Sequence, residues 1–439
     1  MELAKSVYLL SLGCAKNFVD SEVMLGVLAR AGYAFTTNAA DADIIVINTC
    51  AFIDSAVAEA TEAIHELARY KQHGSCSRLV VCGCLPQRFK EHLAEQFPEV
   101  DLWLGTGAFQ RIDRYLAQHG SSCHRIHCDR PTYLMHDRTP RVLATPPGSA
   151  YIKIAEGCSN ACTYCTIPSI RGPYRTRPQQ SIIREASRLV RQHGVKEINL
   201  IAQDTSRYPG LSQLLKKLAR IPGLCWIRLL YAHPAHLDTD ILRLMADEDV
   251  ICNYLDLPLQ HIADRMLRRM GRATNACAIR LLLDRARHLV PDISLRTTFM
   301  VGFPGETDRD FRELVSFVRE AQFDHLGVFA YRDEPGTPAS RMTPKVPAHV
   351  VRERVRELMH EQASISRKNN RRHRGKIYEV LVEGPAARSG FVMQGRTVFQ
   401  APEVDGVVLI SDTVAVGDML PVHITKTLTH DLVGCRILD

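Results

Sequence analysis

"EGCSNACTYCTIPSIRG", Glu156 to Gly172, places three thiols at Cys158, Cys162 and Cys165, separated by three and two residues. It directly follows "AYIKIAE", a β-rich run that opens an alternating series of strand and helix sequence at Ala150. Further strand candidates are "EINLIAQ", "CWIRLLYA", "NYLDLPLQ", "SLRTTFMVGF" and "HLGVFAYR". Six strands are fewer than the eight that close a barrel, so a partial (β/α) barrel is expected, with its chemistry at the C-terminal strand edge. The cysteine loop belongs to that edge. Four thiolates would saturate a zinc ion, whereas three thiolates on a [4Fe–4S] cluster leave one iron with an open position where a substrate can bind. The competing reading is a zinc knuckle completed by a His or a distant Cys, and no fitting fourth ligand lies nearby.

Upstream, from Ser6 to about Gly120, the runs "VYLLSLG", "DIIVINT", "RLVVCG" and the weaker "LWLG" alternate with helical stretches such as "SAVAEATEAIHELARYKQ". Continuous apolar strands separated by helices predict a doubly wound α/β domain around a parallel sheet. Cys14, Cys50 and Cys84 each stand at the C-terminal end of one of these strands. Those ends share one edge, the usual ligand crevice of such folds, so three distant thiols can converge on a second cluster. The bland alternative is that they are small buried hydrophobes, as free cysteines often are. Cys82 competes with Cys84: in an unbroken strand the two would share a face. Cys84 is preferred because it lies in the loop beyond the strand. Cys76, Cys123, Cys128, Cys225, Cys252, Cys277 and Cys435 show no partner pattern.

Residues 121–149, rich in His, Arg, Pro, Thr and Ser, read as a linker between a domain over 1–120 and the barrel over 150–372. In the barrel's last third, Thr307 and Asp310 form a capping signature, and Phe311, Leu314, Val315 and Val318 repeat at helical spacing. A long polar helix over about Ala348 to Arg367 leads to residues 373–439, whose Gly- and Asp-punctuated strands predict a small antiparallel β-barrel of OB-like type. The chain carries 55 Lys+Arg against 48 Asp+Glu, a mild excess that permits nucleic acid or ribonucleoprotein partners without demanding them. Fourteen cysteines in 439 residues are too sparse for a disulfide scaffold, so they read as reduced, with metal ligands among them. No uncharged apolar run approaches the roughly 18 residues needed to span a bilayer, and no membrane partner is expected. The short "VYLLSLG" block lacks a convincing cleavage site, and the protein is expected to be cytoplasmic.

The C-x₃-C-x₂-C loop after a first barrel strand, with Tyr164 before its last cysteine, resembles the radical S-adenosylmethionine (SAM) enzymes. In that family the open iron chelates SAM, and an electron from the cluster cleaves it to a 5′-deoxyadenosyl radical, suited to carbons whose hydrogens are too weakly acidic for a general base. The resemblance implies SAM contacts along "MVGFPGE", through Gly302 and Pro304. The family's frequent Gly-Gly-Glu is replaced here by "IAQDTSRYPG", where Gln203 and Asp204 take the corresponding place. No side chain is assigned as a catalytic acid or base.

"SLGCAKNFVDSE", "NTCAFI", "GCLPQR" and "CSNACTYCTIPSIRG", with the C-terminal β domain, together resemble the methylthiotransferases over essentially the whole chain. These radical SAM enzymes carry two [4Fe–4S] clusters and a terminal TRAM domain, and replace an unactivated C–H with C–S–CH₃ using two SAM molecules. The resemblance implies Cys158, Cys162 and Cys165 for one cluster, Cys14, Cys50 and Cys84 for the other, and an electron donor such as flavodoxin or ferredoxin. The family's tRNA-modifying branch typically carries Gln-x-Asn near its first cysteine and Gln-Ser-Gly-Ser after the fourth strand. This chain has "CAKN" and "PLQHIAD", with Gln260 and His261, and so resembles the branch acting on an aspartate β-carbon of small-subunit ribosomal protein uS12. The tRNA branch remains an alternative, as does a non-catalytic iron–sulfur RNA-binding protein using the basic "SRKNNRRHRGK" run. The C-terminal unit offers few aromatics and carries acids at "APEVDG", Asp412, Asp418 and Asp431, a poor surface for phosphate backbones and a reasonable one for a basic ribosomal protein.

Overall fold

The computed structural model describes residues 4–90, 92–118 and 125–437, leaving Cys123 outside the described residues. The N-terminal unit is a six-stranded parallel sheet. In spatial order its strands are Ala34–Phe35, Ser6–Ser11, Ile44–Thr49, Arg78–Gly83, Leu102–Leu104 and Arg125–His127. The chain leaves Ser6–Ser11 in one direction and returns on its other side at Ile44–Thr49, which makes the C-terminal ends of these two strands the switch point of the sheet. Ile44–Thr49 is buried at every position, as expected for a strand covered on both faces. The two short edge strands were not apparent in the sequence. Arg125–His127 draws the start of the expected linker into the sheet.

The central unit is a second six-stranded parallel sheet, Ser149–Lys153, Glu197–Ile201, Trp226–Leu229, Ile251–Asp256, Ser294–Val301 and His325–Ala330, in sequential order. It is the expected partial barrel. Between its fifth and sixth strands, helix Asp308–Ala321 starts with a full capping box from Thr307 and Asp310. Helix Ala348–Asn370 then packs on His325–Ala330 and leads to a closed five-stranded barrel of Ile377–Pro385, Met393–Arg396, Val408–Ile410, Met419–Thr427 and Leu432–Arg436. That barrel is antiparallel except where Val408–Ile410 runs parallel to Leu432–Arg436. Among the described residues no helix is long and apolar enough to cross a membrane.

The three units share one core. Val19 and Val23 of the first helix, Tyr151, Trp226 and Tyr254 of the central sheet, and Leu381 and Ala401 of the C-terminal unit belong to a single buried cluster. At the N-terminal edge of the central strands, Arg396 pairs with Glu197 at 2.5 Å, while Arg228 donates to Glu197 at 3.0 Å and to the Val398 carbonyl at 2.7 Å. Asp405, expected as part of a surface acidic patch, is instead fully buried against Arg296 and the Tyr254 hydroxyl. The C-terminal domain thus seals the base of the barrel, opposite the edge that carries the cysteine loop. Asp412 and Asp418 do remain exposed.

Candidate active site

Cys14 precedes helix Ala15–Arg30, Cys50 follows strand Ile44–Thr49, and Cys84 opens helix Cys84–Phe89. All three therefore stand at the C-terminal edge around the switch point. A Cβ added at Gly13 would fall 2.5 Å from the Cβ of Cys50, so the turn bearing Cys14 lies directly against Cys50. Burial pushes the Cys50 thiol up to about 12, helped by Cys84 and Cys14 beside it. Burial also raises Cys14, but the Lys16 and Arg171 charges and the N–H groups of Asn17 and Lys16 outweigh it and leave that thiol below its ordinary value. Cys82 and Cys84 would share a face only in an unbroken strand, and the strand is broken between them. Gly83 adopts φ +100°, which ends the strand, so Cys82 packs with Val80 and Leu104 on one face while Cys84 packs with Val81 and Leu79 on the other.

The second triad lies across from the first. Cys158 accepts the Asn160 N–H at 3.4 Å, the N–H of Cys165 donates to the Cys162 carbonyl, and burial pushes the Cys165 thiol up to about 12. Each triad has a guanidinium on one sulfur: Arg171 Nη2 stands 3.7 Å from Cys84 Sγ and Arg272 Nη1 3.7 Å from Cys162 Sγ. Donors so placed stabilise anionic sulfur. Among the described residues, the one group of three metal-ligating side chains gathered within 4.8 Å is Asp204, His233 and His236; neither cysteine triad is drawn so close. Zinc–thiolate bonds of about 2.3 Å would hold sulfurs closer together than that. The wider spread suits a multi-iron cluster.

A buried charge network fixes the two triads relative to each other. Arg171, at the end of the cysteine-loop helix Ile167–Arg171, pairs with Asp20 of the first helix at 2.7 Å. Lys153, from the first barrel strand, pairs with the same Asp20 at 2.5 Å and with Glu156. Arg141 of the expected linker joins Glu22 at 2.5 Å to Glu185 at 2.8 Å, with all three side chains buried. That segment is therefore a packed strap. This was not legible beforehand, because one arginine in a polar run looks solvated.

Three family models match: the uncharacterized protein family UPF0004 over residues 6–105, the radical SAM superfamily over 152–318, and the TRAM domain over 375–437. A "ribosomal protein uS12 methylthiotransferase RimO" of Trichlorobacter lovleyi is 47% identical, over 98% of this chain and 98% of its own. The protein of the same description from Geobacter sulfurreducens is 46% identical with the same coverage. This chain belongs to the RimO family. It is accordingly a radical SAM transferase, with [4Fe–4S] clusters and SAM as its cofactors. Among solved structures, the radical SAM methyltransferase TsrM of Kitasatospora setae superposes with a TM-score of 0.57 at 17% identity, covering 77% of this chain and 75% of that one, a likeness of fold alone.

The other residues singled out in this RimO-family sequence fall as follows. Tyr164 is half-buried, edge-on to Phe303 of the "GFPGE" turn, with ring centroids 6.4 Å apart, so the cysteine loop and that turn do meet. Asp204 accepts from Asn160 Nδ2 at 3.0 Å and lies 2.7 Å from His236 Nδ1, which places it beside Cys158. Burial pushes its carboxyl up, but hydrogen bonds from Asn160, Ser206 and His236 outweigh this and hold it below the usual range. Gln203 adjoins it, half-buried. Gly302 does not present an open backbone: a Cβ there would overlap Val351 of the long helix, and its N–H donates to Glu306. Pro304 offers its carbonyl to Arg269 at 3.1 Å. His261 is fully buried, its Nδ1 accepting the N–H groups of Ile262 and Ala263, so it does not line the barrel mouth. Lys16, Arg171, His233, His236 and Arg272 were missed. "YAHPAH" immediately after the third barrel strand was the available signal for the two histidines.

Proposed function

We propose that this chain installs a methylthio group on the β-carbon of an aspartate in ribosomal protein uS12. The observation that carries the reading is the pair of thiol triads, one on each of two facing strand edges, locked together through Asp20, Lys153 and Arg171. In this reading Cys158, Cys162 and Cys165 hold the SAM-cleaving cluster, and Cys14, Cys50 and Cys84 hold the auxiliary one. The bound clusters and SAM supply one-electron chemistry and an electrophilic methyl group. The protein's own part is to orient and to exclude water. Tyr164, Gln203, Asp204 and Pro304 would line the SAM site, with Gly302 shaping the turn that carries Pro304 rather than touching SAM. Arg171 and Arg272 hold negative charge on the sulfurs. His233, which burial and the Arg272 charge lower to about 3, stays a neutral hydrogen-bonding group. Residues 1–120, 150–372 and 373–439 act as auxiliary-cluster, SAM and TRAM domains, with 121–149 as the strap. Flavodoxin or ferredoxin supplies electrons, and the enzyme works in the cytoplasm on uS12 or on the small subunit containing it.

The test gives the reconstituted holoenzyme SAM, reductant and sulfide with either uS12 or unmodified tRNA, and each product is weighed by mass spectrometry. A methylthio gain on an aspartate is expected. A gain only on a tRNA adenosine would move the chain to the other branch.

A further inference from the structure

Lys16 is the second residue of helix Ala15–Arg30 and two positions past Cys14. It is 5% exposed, yet among the described residues its ammonium has no hydrogen-bond or carboxylate partner and rests over the Tyr231 ring, 3.1 Å from the centroid. The other cations buried nearby are all neutralised: Lys153 and Arg171 by Asp20, Arg141 by Glu22, and Arg177 by Glu185. The charged and titratable groups facing Lys16 are Cys14, Cys50, Arg171 and Asp256. Asp256 is already engaged by the Tyr231 N–H at 2.9 Å and by Arg296 at 3.6 Å. An uncompensated buried ammonium is costly, and a ring face offsets only part of that cost.

Tyr231 adds a second observation. It stands just beyond strand Trp226–Leu229, on the edge of the barrel that carries the Cys158 loop and Asp204, and it adopts φ +62°. That conformation is uncommon for a bulky residue and persists only where the surroundings impose it. Here it carries the ring beneath Lys16. The result is a buried cation, flanked by Cys14 and Cys50 and seated on the Tyr231 ring, at the seam where the switch point of the N-terminal sheet meets the mouth of the barrel.

We propose that Lys16 receives the side-chain carboxylate of the substrate aspartate. This rests on the reading above, that the substrate is a protein aspartate, and names the group that selects it. The carbon to be functionalised is bonded to that carboxylate, so a cation gripping the carboxylate fixes the β C–H one bond away, between the two triads. A nucleobase offers no such anion.

The experiment measures binding of a uS12 loop peptide with Asp or Asn at the target position to the holoenzyme, wild type, Lys16→Met and Lys16→Arg, alongside the reduction potential of each cluster by EPR titration. Wild type should prefer Asp by at least about 30-fold, the range for truncating a buried charge pair. Lys16→Met should lose that preference while binding the Asn peptide as before, and Lys16→Arg should keep most of it. Equal weakening of both peptides in Lys16→Met would make Lys16 merely structural and overturn the proposal. So would an intact Asp preference accompanied by a shifted auxiliary-cluster potential, which would assign Lys16 to the cluster's charge. A wild-type enzyme that ignores both peptides and modifies tRNA would sink the substrate reading itself, an outcome distinct from either.

Discussion

Replacing Arg396 with Met tests whether the C-terminal domain is an accessory or part of the barrel. Arg396 is 1% exposed and reaches Glu197, itself fully buried, at 2.5 and 3.2 Å, while donating to Glu383 at 2.7 Å. Removing one partner of a buried pair costs about 3–5 kcal/mol. Arg228 and Ser149 still hold Glu197, at 3.0 and 2.9 Å, so the lower end, about 3 kcal/mol, is expected. Burial pushes the Glu197 carboxyl up, but Arg396 and Arg228 outweigh it and hold it well below the usual carboxylate range. A depressed folded-state pKa contributes stability above the unfolded pKa of about 4.3 and loses it as pH falls through the folded value. In the variant the Glu197 carboxyl rises, so the gap between the two proteins is largest near neutral pH and narrows as pH drops through about 4. Urea unfolding in a Trp103→Phe background, with Trp226 of the barrel as the remaining tryptophan, reads this directly. Coincident transitions at pH 7, within about 0.5 kcal/mol, would refute the sealing role.

The triple variant Cys158→Ala, Cys162→Ala, Cys165→Ala should lose about one cluster's worth of iron and all reductive formation of 5′-deoxyadenosine. Undiminished SAM cleavage would overturn that assignment. The triple Ala variant at Cys14, Cys50 and Cys84 should keep the barrel cluster's EPR signal and some SAM cleavage, but form no methylthio product. Cys82→Ala, whose thiol faces away from the triad, should keep full iron content and cost about 1 kcal/mol of packing; iron loss there, with retention in Cys84→Ala, would reverse the ligand choice. At the Asp310 carboxyl, burial raises the pKa, but hydrogen bonds from Arg265 and Thr307 prevail and hold it at about 2. Its contribution should therefore be present above the unfolded carboxylate pKa and fade as pH falls towards 2, and Thr307→Ala should lower stability by about 1 kcal/mol in the same urea assay.

The sheets, the two triads and the Thr307–Asp310 cap were legible because each depends on near neighbours in sequence: apolar runs bounded by turns, thiols at strand ends, a four-residue box. What could not be read depends on where a chain segment lands. "LVVCGC" placed Cys84 beyond the strand, but nothing in it showed that Gly83, at positive φ, sets Cys82 and Cys84 on opposite faces. "PLQHIAD" looked like a mouth loop, yet backbone N–H groups of the next two residues hold its histidine inside. Asp405 looked like surface charge because its partners, Arg296 and Tyr254, stand more than a hundred residues earlier. Lys16 carried no signal in the sequence, and only the fold shows it buried over the Tyr231 ring.

The seal at the base of the barrel also sets an order of events during synthesis. Glu197 waits for a partner made 199 residues later, and Arg228 for a carbonyl made 170 residues later. A growing chain can complete the first sheet early, since its strands close over short separations, but Glu197 gains the last of its partners only when the final domain has emerged. Arrested nascent chains ending before Arg396 should therefore be more protease-sensitive across the barrel than the full chain.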